Sequence, residues 1–202
     1  MHGCMYDANM TRLPATAHTA HAWRIHELAP DFALEDVWAL PTPGGPQDFP
    51  ALVELVARSD PEHSGHPVVR ALFALRWKLG ALLSWDDEDD GLRARVPSLR
   101  ERLPEDLRTG EAGPRTDAVP FEPLYVTGDE FAAEIANATM HGVMHLTWVE
   151  DGAGGHRGQM AVLVKPNGRR GRAYMAAIKP FRHLIVYPLM MRDLERRWRA
   201  RG

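Results

Sequence analysis

The clearest pattern in the chain is a change of hydrophobic period near residue 121. From Phe121 onward apolar and polar residues alternate, which is typical of strands with one buried face. Turn residues at Thr127–Asp129 and Asp151–Gly155 separate the alternating runs. Four strands in hairpin succession are therefore predicted: Phe121–Thr127, Glu130–Ala138, Met140–Glu150 and Arg157–Lys165.

Helical periodicity lies on both sides of these strands. Apolar residues at 3-4 spacing predict a helix over Val68–Trp85, and Gly171–Trp198 is predicted to be one long amphipathic closing helix. Pro180 and Pro188 lack the N–H of a regular turn, so a bend is expected near each. The stripe that faces the sheet is predicted to comprise Tyr174, Ile178, Phe181, Ile185 and Leu189.

The first sixty residues give weaker signals. His21–Leu28 alternates well enough to predict an opening strand, and Phe32–Leu40 is read as a short helix before a proline-rich turn. Asp48 is the predicted N-cap of a helix that continues to Arg58. Residues 1–20 are small and polar, so we expect a flexible N-terminus.

These elements together predict an α+β fold with one domain over residues 21–202. A long connection at 86–120 carries ten acidic and six basic residues and several prolines. Such a segment is typical of a solvated connection that holds at most a short helical turn. Two interpretations remain open, a lid over a cavity or an insertion loop.

Composition narrows the class of protein. The 202 residues are 45% hydrophobic and 25% charged, as in ordinary soluble globular proteins. A net charge of -3 provides no general attraction to nucleic acid or to an anionic membrane. Cys4 is the only cysteine, so an intrachain disulfide is excluded and a reducing compartment fits. We expect a cytoplasmic monomer or homodimer without a signal peptide or membrane span.

The histidines give no metal or catalytic signature. His141 and His145 resemble a zinc-protease pair, but the general-base glutamate is absent. On a strand, residues four apart lie about 13 Å apart, too far to share one ion. An outward-facing pair is predicted instead, and His18, His21 and His26 are read as part of a polar terminus. No metal, cofactor or activated nucleophile is predicted.

A cavity between the sheet and the closing helix is the remaining candidate site, and a filled core is the alternative. Methionines on the strands favour a pocket, because thioether side chains adapt to varied apolar ligands. Lys179 and His183 are candidates for an anionic group but fall largely on the opposite, solvated side of the helix. The predicted ligand-binding residues are Trp77, Tyr125, Asn137, Met144, Leu146, Trp148, Met160, Tyr174, Ile178 and Phe181.

The order of elements resembles that of the START-like, or helix-grip (SRPBCC), superfamily of ligand-binding proteins. The Glu35-x-Val37-Trp38 pattern is similar to a segment that follows the first strand there. More specifically, Ala71–Leu79, Gly171–Tyr174 and Lys179–Ile185 resemble an actinobacterial member of the bacterial domain-of-unknown-function family 2867. The resemblance implies a sheet around a long C-terminal helix and a cavity, without an established activity. Some relatives are joined to nucleotide-binding reductase domains, but this chain has no Gly-x-Gly-x-x-Gly run.

Three functions follow as hypotheses. The first is a protein that binds an apolar or aromatic small molecule in the cavity. The alternative implied by the superfamily is a polyketide cyclase or dehydratase-like enzyme of secondary metabolism, with one histidine or tyrosine as acid–base group. The third is a subunit or regulator that uses an exposed patch around Trp85, Trp198 and the 86–120 connection.

Overall fold

A computed structural model describes residues 11–59, 96–116, 120–137 and 139–201. The fold is α+β, with a five-stranded antiparallel sheet and a C-terminal helix, consistent with a helix-grip arrangement. The strands are β1 Ala33–Gly44, β2 Glu122–Val126, β3 Glu130–Ala136, β4 Met140–Glu150 and β5 His156–Pro166. Their order in the sheet is β1-β5-β4-β3-β2, so the first strand pairs with the last.

The helices lie at the two ends of the chain and between β1 and β2. They are α1 Thr16–Thr19, α2 Ile25–Leu28, α3 Phe49–Ala57, α4 Glu105–Thr109, α5 Gly168–Phe181 and α6 Tyr187–Arg199. A 3-10 helix occupies Leu99–Arg102, and a π-helical turn, Arg182–Val186, joins α5 to α6. We call Arg182–Val186 the π-turn. None of the helices in these described ranges has the length and apolar character of a bilayer span.

The predicted meander is confirmed. All four strands occur, with β3 ending at Ala136 rather than Ala138. In β4, Leu146 pairs with Phe131 on one side and with Met160 on the other, so these three apolar side chains share one face. The turn between β4 and β5 uses Gly152, whose φ of 77° favours glycine.

The prediction of an opening strand at His21–Leu28 is wrong, because this stretch is a loop followed by α2. The prediction of a helix at Phe32–Leu40 is also wrong, because this stretch lies in β1. The reason is that β1 is buried on both faces. Val37 belongs to one buried cluster and Trp38 to the other, so the apolar residues are consecutive instead of alternating. Such a run has no period of two and cannot be distinguished from a buried helix by pattern alone.

Helix α3 is confirmed, with Asp48 at its N-cap position. The carboxylate of Asp48 accepts a hydrogen bond from the backbone N–H of Gly45 at 2.8 Å, not from the first turn of the helix. The predicted helix at Val68–Trp85 lies outside the described residues. Of the 86–120 connection, residues 96–116 are described and contain the 3-10 helix and α4.

Both faces of the sheet are covered. The helix face, which carries Trp38, Leu146 and Met160, packs against α3 and α6. The other side, which we call the segment face, packs against two stretches of chain. These are residues 11–32, which contribute Trp23, Ile25 and Leu28, and residues 96–109, which contribute Leu99, Leu103 and Leu107.

The stretch before α1 covers the free edge of β1. The N–H of Leu13 donates to the Val37 carbonyl at 2.8 Å, and the N–H of Ala39 donates to the Thr11 carbonyl at 3.0 Å. The sequence pattern places these residues in a flexible N-terminus, whereas the structure pairs them with a strand. Pairing of this kind protects an edge strand from association with other chains.

The start of α5 is held against the turn between β3 and β4. A Cβ at Gly171 would lie 2.1 Å from the carbonyl oxygen of Thr139, so no side chain fits at this position. The N–H of Asn167 also donates to that carbonyl at 2.8 Å. Glycine at 171 therefore lets the C-terminal helix approach the sheet closely.

The π-turn changes which side of the C-terminal helix faces the sheet. Before it, Gly171, Met175 and Ile178 follow the usual 3-4 spacing of inward positions, and after it the buried positions are Tyr187, Met191, Leu194 and Trp198. One extra residue in the turn rotates the helix phase by about 100°. The predicted inward stripe is wrong at Phe181, which is 56% exposed, because the inward positions of α5 continue from Ile178 to Arg182. Trp198 is buried and is therefore not part of the predicted exposed patch, whose Trp85 lies outside the described residues.

Candidate functional site

The Glu35-x-Val37-Trp38 pattern of β1 and the Lys179–Ile185 motif of the C-terminal helix meet at the π-turn. Asp36, next to Glu35 in β1, is 2% exposed and faces the C-terminal helix. Its carboxylate accepts hydrogen bonds from Arg182, from His183 Nε2 at 2.6 Å and from the Tyr187 hydroxyl at 3.3 Å. We call Asp36, Arg182, His183 and Tyr187, together with the adjacent Trp38, the Asp36 cluster.

Local irregularities on both elements create this cluster. The register between β1 and β5 shifts between Leu34 and Asp36, and such bulges re-aim side chains. On the helix, the π-turn brings Arg182 and Tyr187, five residues apart, to the same carboxylate. Single π-helical turns within α-helices occur frequently at functional sites. Lys179 and Glu35 form a neighbouring ion pair at 3.4 Å.

The hydrogen bonds set the proton positions in the cluster. A carboxylate only accepts, so Nε2 of His183 carries a hydrogen, and in the neutral form of the ring Nδ1 is the acceptor. In the described part of the chain, no residue donates to that Nδ1, and the side chain is 19% exposed. Burial raises the pKa of Tyr187, and its hydroxyl therefore stays neutral and donates to Asp36. The prediction that His183 lies on a solvated side of the helix is wrong.

Two buried donors beside Asp36 have no hydrogen-bond partner among the described residues. They are the indole Nε1 of Trp38 and Nε of Arg182. The Trp38 ring lies 4.8 Å from the Tyr187 ring and 6.0 Å from the His183 ring, so the indole belongs to the same cluster. Leaving a buried donor unpaired costs about 1–3 kcal/mol, and native proteins rarely accept this without a reason.

A second set of titratable side chains lies on the segment face. His141 and His145 are 3% and 0% exposed, so the prediction that they point outward is wrong. His141 bonds to Glu134 at 2.8 Å, and His145 bonds to Glu130 at 3.1 Å. The sequence pattern misses these pairs because it assigns the segment that covers this face of the sheet to a polar terminus.

Each of these glutamates also holds a covering segment through the backbone. Glu130 accepts from the N–H of Arg24 at 3.0 Å, and Glu134 accepts from the N–H of Leu99 at 3.0 Å and from the Ser98 hydroxyl. Burial raises the pKa of both carboxyls, but hydrogen bonds, first from the partner histidines, outweigh it and leave the pKa below the usual range. The two glutamates therefore anchor the cover of the segment face.

A chain of three histidines leads to Glu130. His18 donates a hydrogen bond to His145 at 2.9 Å. His18 in turn accepts one from the half-buried His26 at 3.0 Å. Burial, together with the neighbouring His145 and His26, lowers the pKa of His18 to about 3. Both ring nitrogens of His18 and His145 are used in the chain, and no described group of three His, Cys, Asp or Glu side chains could hold a metal ion.

The structure brings together only part of the predicted ligand-binding set. Leu146, Trp148 and Met160 share the cluster of the helix face, and Met144 is partly buried against it. Tyr125 lies on the segment face, where its hydroxyl donates to Glu130 at 3.0 Å.

The remaining predicted residues lie elsewhere. Asn137 accepts from the N–H of Thr139 at 2.9 Å and shapes the turn after β3. Ile178 is half-buried, and Phe181 is exposed. The Tyr174 side chain and Trp77 lie outside the described residues.

Sequence reasoning misses Asp36, Trp38, Arg182 and Tyr187. A signal for them is the position of Pro188, whose missing N–H interrupts the helical ladder next to Tyr187. The proline pattern predicts a bend, but it does not predict the change of helix phase that accompanies it.

Comparison with known proteins places the site within a family. A model of the family described as "Protein of unknown function (DUF2867)" matches residues 28–189, which include the whole Asp36 cluster. His18, His21 and Trp23 lie before the matched span. No curated protein and no solved structure matches the chain. Because the match covers most of its length, the chain belongs to the DUF2867 family of proteins of unknown function.

Proposed function

We propose that the protein binds an apolar or aromatic small molecule between the helix face of the sheet and the C-terminal helix, as START-like proteins do. The observation that supports this most is that two side chains of the Asp36 cluster carry buried donors without a hydrogen-bond partner among the described residues, Trp38 Nε1 and Arg182 Nε. A ligand with a carbonyl, phenolic or carboxylate oxygen satisfies such donors. Polar groups of this kind orient a ligand within apolar surroundings.

The strand surface beside the polar cluster is apolar. Met144 and Met160 lie on the same face of the sheet as Asp36. Apolar side chains next to unpaired polar groups favour an amphipathic ligand, with its polar end at the Asp36 cluster.

Native mass spectrometry of protein purified from its own host tests this proposal. We expect a bound mass with the wild type and with Arg192→Gln, a control at an exposed position of the same helix. The variants Trp38→Phe and His183→Gln each remove one ligand contact and should weaken binding about tenfold, as loss of a hydrogen bond of about 1.4 kcal/mol implies, which lowers the bound fraction at subsaturating ligand. Near-UV circular dichroism checks that the variants keep their tertiary packing.

Two results contradict ligand binding at this place. One is a wild-type protein that carries no bound molecule and binds none from an extract of small molecules from its host. The other is a bound mass that Trp38→Phe and His183→Gln both retain fully.

The Asp36–His183 pair supports a second candidate function, an acid–base enzyme of the polyketide cyclase or dehydratase kind. Asp36 holds the imidazole through Nε2 at 2.6 Å and leaves Nδ1 free to accept a proton. The unpaired N–H groups of Arg182 and Trp38 are suited to an enolate oxygen that forms when carbon loses that proton.

A synthetic poly-β-ketone thioester serves as the probe for this second function, with cyclisation followed by absorbance. We expect His183→Gln to lower the rate at least about a hundredfold, the usual contribution of a general base, and Arg192→Gln to retain it. Equal rates with and without protein reject the enzyme and leave the binding proposal standing.

A further inference from the structure

A cleft lies at one end of the sheet, opposite the end where the turn between β3 and β4 contacts Gly171. β3 begins at Glu130, opposite Thr147, so the hairpin of β4 and β5 projects past it. The space beside this projection has a volume of about 450 Å³ and is open to solvent. Its walls come from the loop of His21 and Trp23, from Asp129, and from the end of the hairpin.

Aromatic rings line much of this cleft. The rings of His21 and Trp23 stack at 4.9 Å with planes 20° apart. Trp148 and His156 also border the cleft, but the Trp148 ring packs on the helix face against Phe49 and Trp198. Flat ring faces of this kind favour a planar aromatic ligand, since offset stacking adds about 0.5–1.5 kcal/mol for each ring pair.

A cationic side chain without a partner carboxylate also lines the cleft. Arg157 is half-buried, and within the described ranges its guanidinium makes one long hydrogen bond, to the Gly158 carbonyl at 3.4 Å, and no ion pair. Burial lowers the pKa of Arg157, although Asp151 opposes the shift. A partly desolvated guanidinium is suited to bind a carboxylate through two parallel hydrogen bonds.

Two carboxylates limit the charge of a ligand in this cleft. Asp129 and Glu150 stand exposed at the rim of the same cleft. These two carboxylates disfavour a ligand with several negative charges.

From this arrangement we propose that the cleft is a second binding site, for a planar aromatic molecule that carries one carboxylate. Arg157 binds the carboxylate, and the stacked rings of His21 and Trp23 contact the aromatic body. The residues that line the cleft include none of the Asp36 cluster, and the wall formed by His21 and Trp23 precedes the family match, so this proposal does not depend on the Asp36 cluster.

Titration of the isotope-labelled protein with 2-naphthoate, followed by nuclear magnetic resonance, tests the site. The chain has six tryptophans, and the variants Trp23→Phe and Trp38→Phe assign the two relevant indole N–H signals. We expect 2-naphthoate to shift the Trp23 signal and to leave the Trp38 signal in place. The neutral 2-naphthamide should bind about tenfold more weakly or worse, because it lacks the charge that pairs with Arg157.

Matched variants show which contacts hold the probe. Arg157→Gln should weaken 2-naphthoate binding about tenfold or more, Arg157→Lys should restore part of it, and Arg192→Gln should leave it unchanged. The proposal is overturned if 2-naphthoate and related aromatic carboxylates leave the Trp23 signal unmoved. It is also overturned if the amide binds as tightly as the acid, or if Arg157→Gln retains full affinity with its tryptophan signals otherwise in place.

Discussion

The two faces of the sheet differ in the groups that donate hydrogen bonds to their buried carboxylates. On the segment face, Glu130 and Glu134 accept from a histidine and from backbone N–H groups of the covering segments. On the helix face, the donors to Asp36 among the described residues are side chains, and its partners Arg182 and His183 keep groups that no described residue pairs. Both arrangements contain an acid–histidine pair. The difference lies in what the remaining polar atoms do.

Backbone donors and side-chain donors have different consequences. A glutamate that binds the N–H of Arg24 or Leu99 requires those segments to stay in place. Arg182 and His183 are 15% and 19% exposed and can turn toward solvent or a ligand. An acid held by the backbone is therefore expected to stabilise the fold, whereas one held by movable side chains is available for recognition.

The largest expected effect is on stability, from loss of Glu134. Glu134→Ala leaves three buried donors unpaired, and we expect the free energy of unfolding to fall by about 3–5 kcal/mol. Asp36→Ala should cost less, about 1–3 kcal/mol, because its partners can reach water. Urea denaturation measures both, with the exposed Glu101→Ala as a control expected within about 0.5 kcal/mol. An Asp36→Ala variant that is as unstable as Glu134→Ala contradicts the distinction between the faces.

The next largest effect is on pH dependence, and it arises on the segment face. The pKa of His18 is about 3 in the folded protein, against 6.5 for an unperturbed histidine. Below pH 6.5, His18 therefore binds a proton in the unfolded chain but not in the folded one, and the free energy of unfolding decreases as the pH falls. Burial also lowers the pKa of His145, which acts in the same direction.

For His18 alone, the free energy of unfolding is expected to decrease by about 2 kcal/mol between pH 7 and pH 5. Denaturation at a series of pH values measures it. His18→Gln should flatten this part of the profile, and Thr19→Ala, at an exposed position of α1, should retain it. A wild-type profile that stays flat from pH 7 to pH 5 contradicts the buried, neutral histidine chain.

The smallest expected effects compare two tyrosines. Tyr125→Phe removes a hydroxyl that donates to Glu130 at 3.0 Å in a fully buried position, and should cost about 2 kcal/mol. Tyr187→Phe removes a longer contact of 3.3 Å to Asp36 and should cost about 1 kcal/mol. Thermal unfolding of the two variants gives both values. The reverse order would show that the helix face, not the segment face, depends more on its buried acid.

The meander is predictable from the sequence because its pattern is local. β4 shows this best, because apolar Met144, Leu146 and Trp148 alternate with polar His145 and Thr147, and turns with glycine and aspartate or asparagine separate the strands. β1 is not predictable in this way, because it places apolar residues such as Val37 and Trp38 on both of its faces. Which segment covers a face is decided by contacts such as His18 to His145, 127 residues apart, and no local pattern contains them.

The candidate site is less predictable than the fold. The family resemblance identifies the motif of Lys179–Ile185, and the sequence shows the prolines near it. A regular helix without the extra residue, however, turns His183 away from the sheet. Asp36 lies in a stretch whose pattern resembles a helix. A site that depends on one bulge and one π-turn arises from departures from regular structure, and hydrophobic periodicity reports only regular structure.

The π-turn makes the last part of the chain sensitive to length. Deletion of a single residue between Arg182 and Val186 would restore a continuous α-helix and rotate everything after it by about 100°. Tyr187, Met191 and Leu194 would then leave the sheet together, although none of them had been replaced. We expect this short segment to accept substitutions more readily than insertions or deletions, because its residue count aligns the helix that follows.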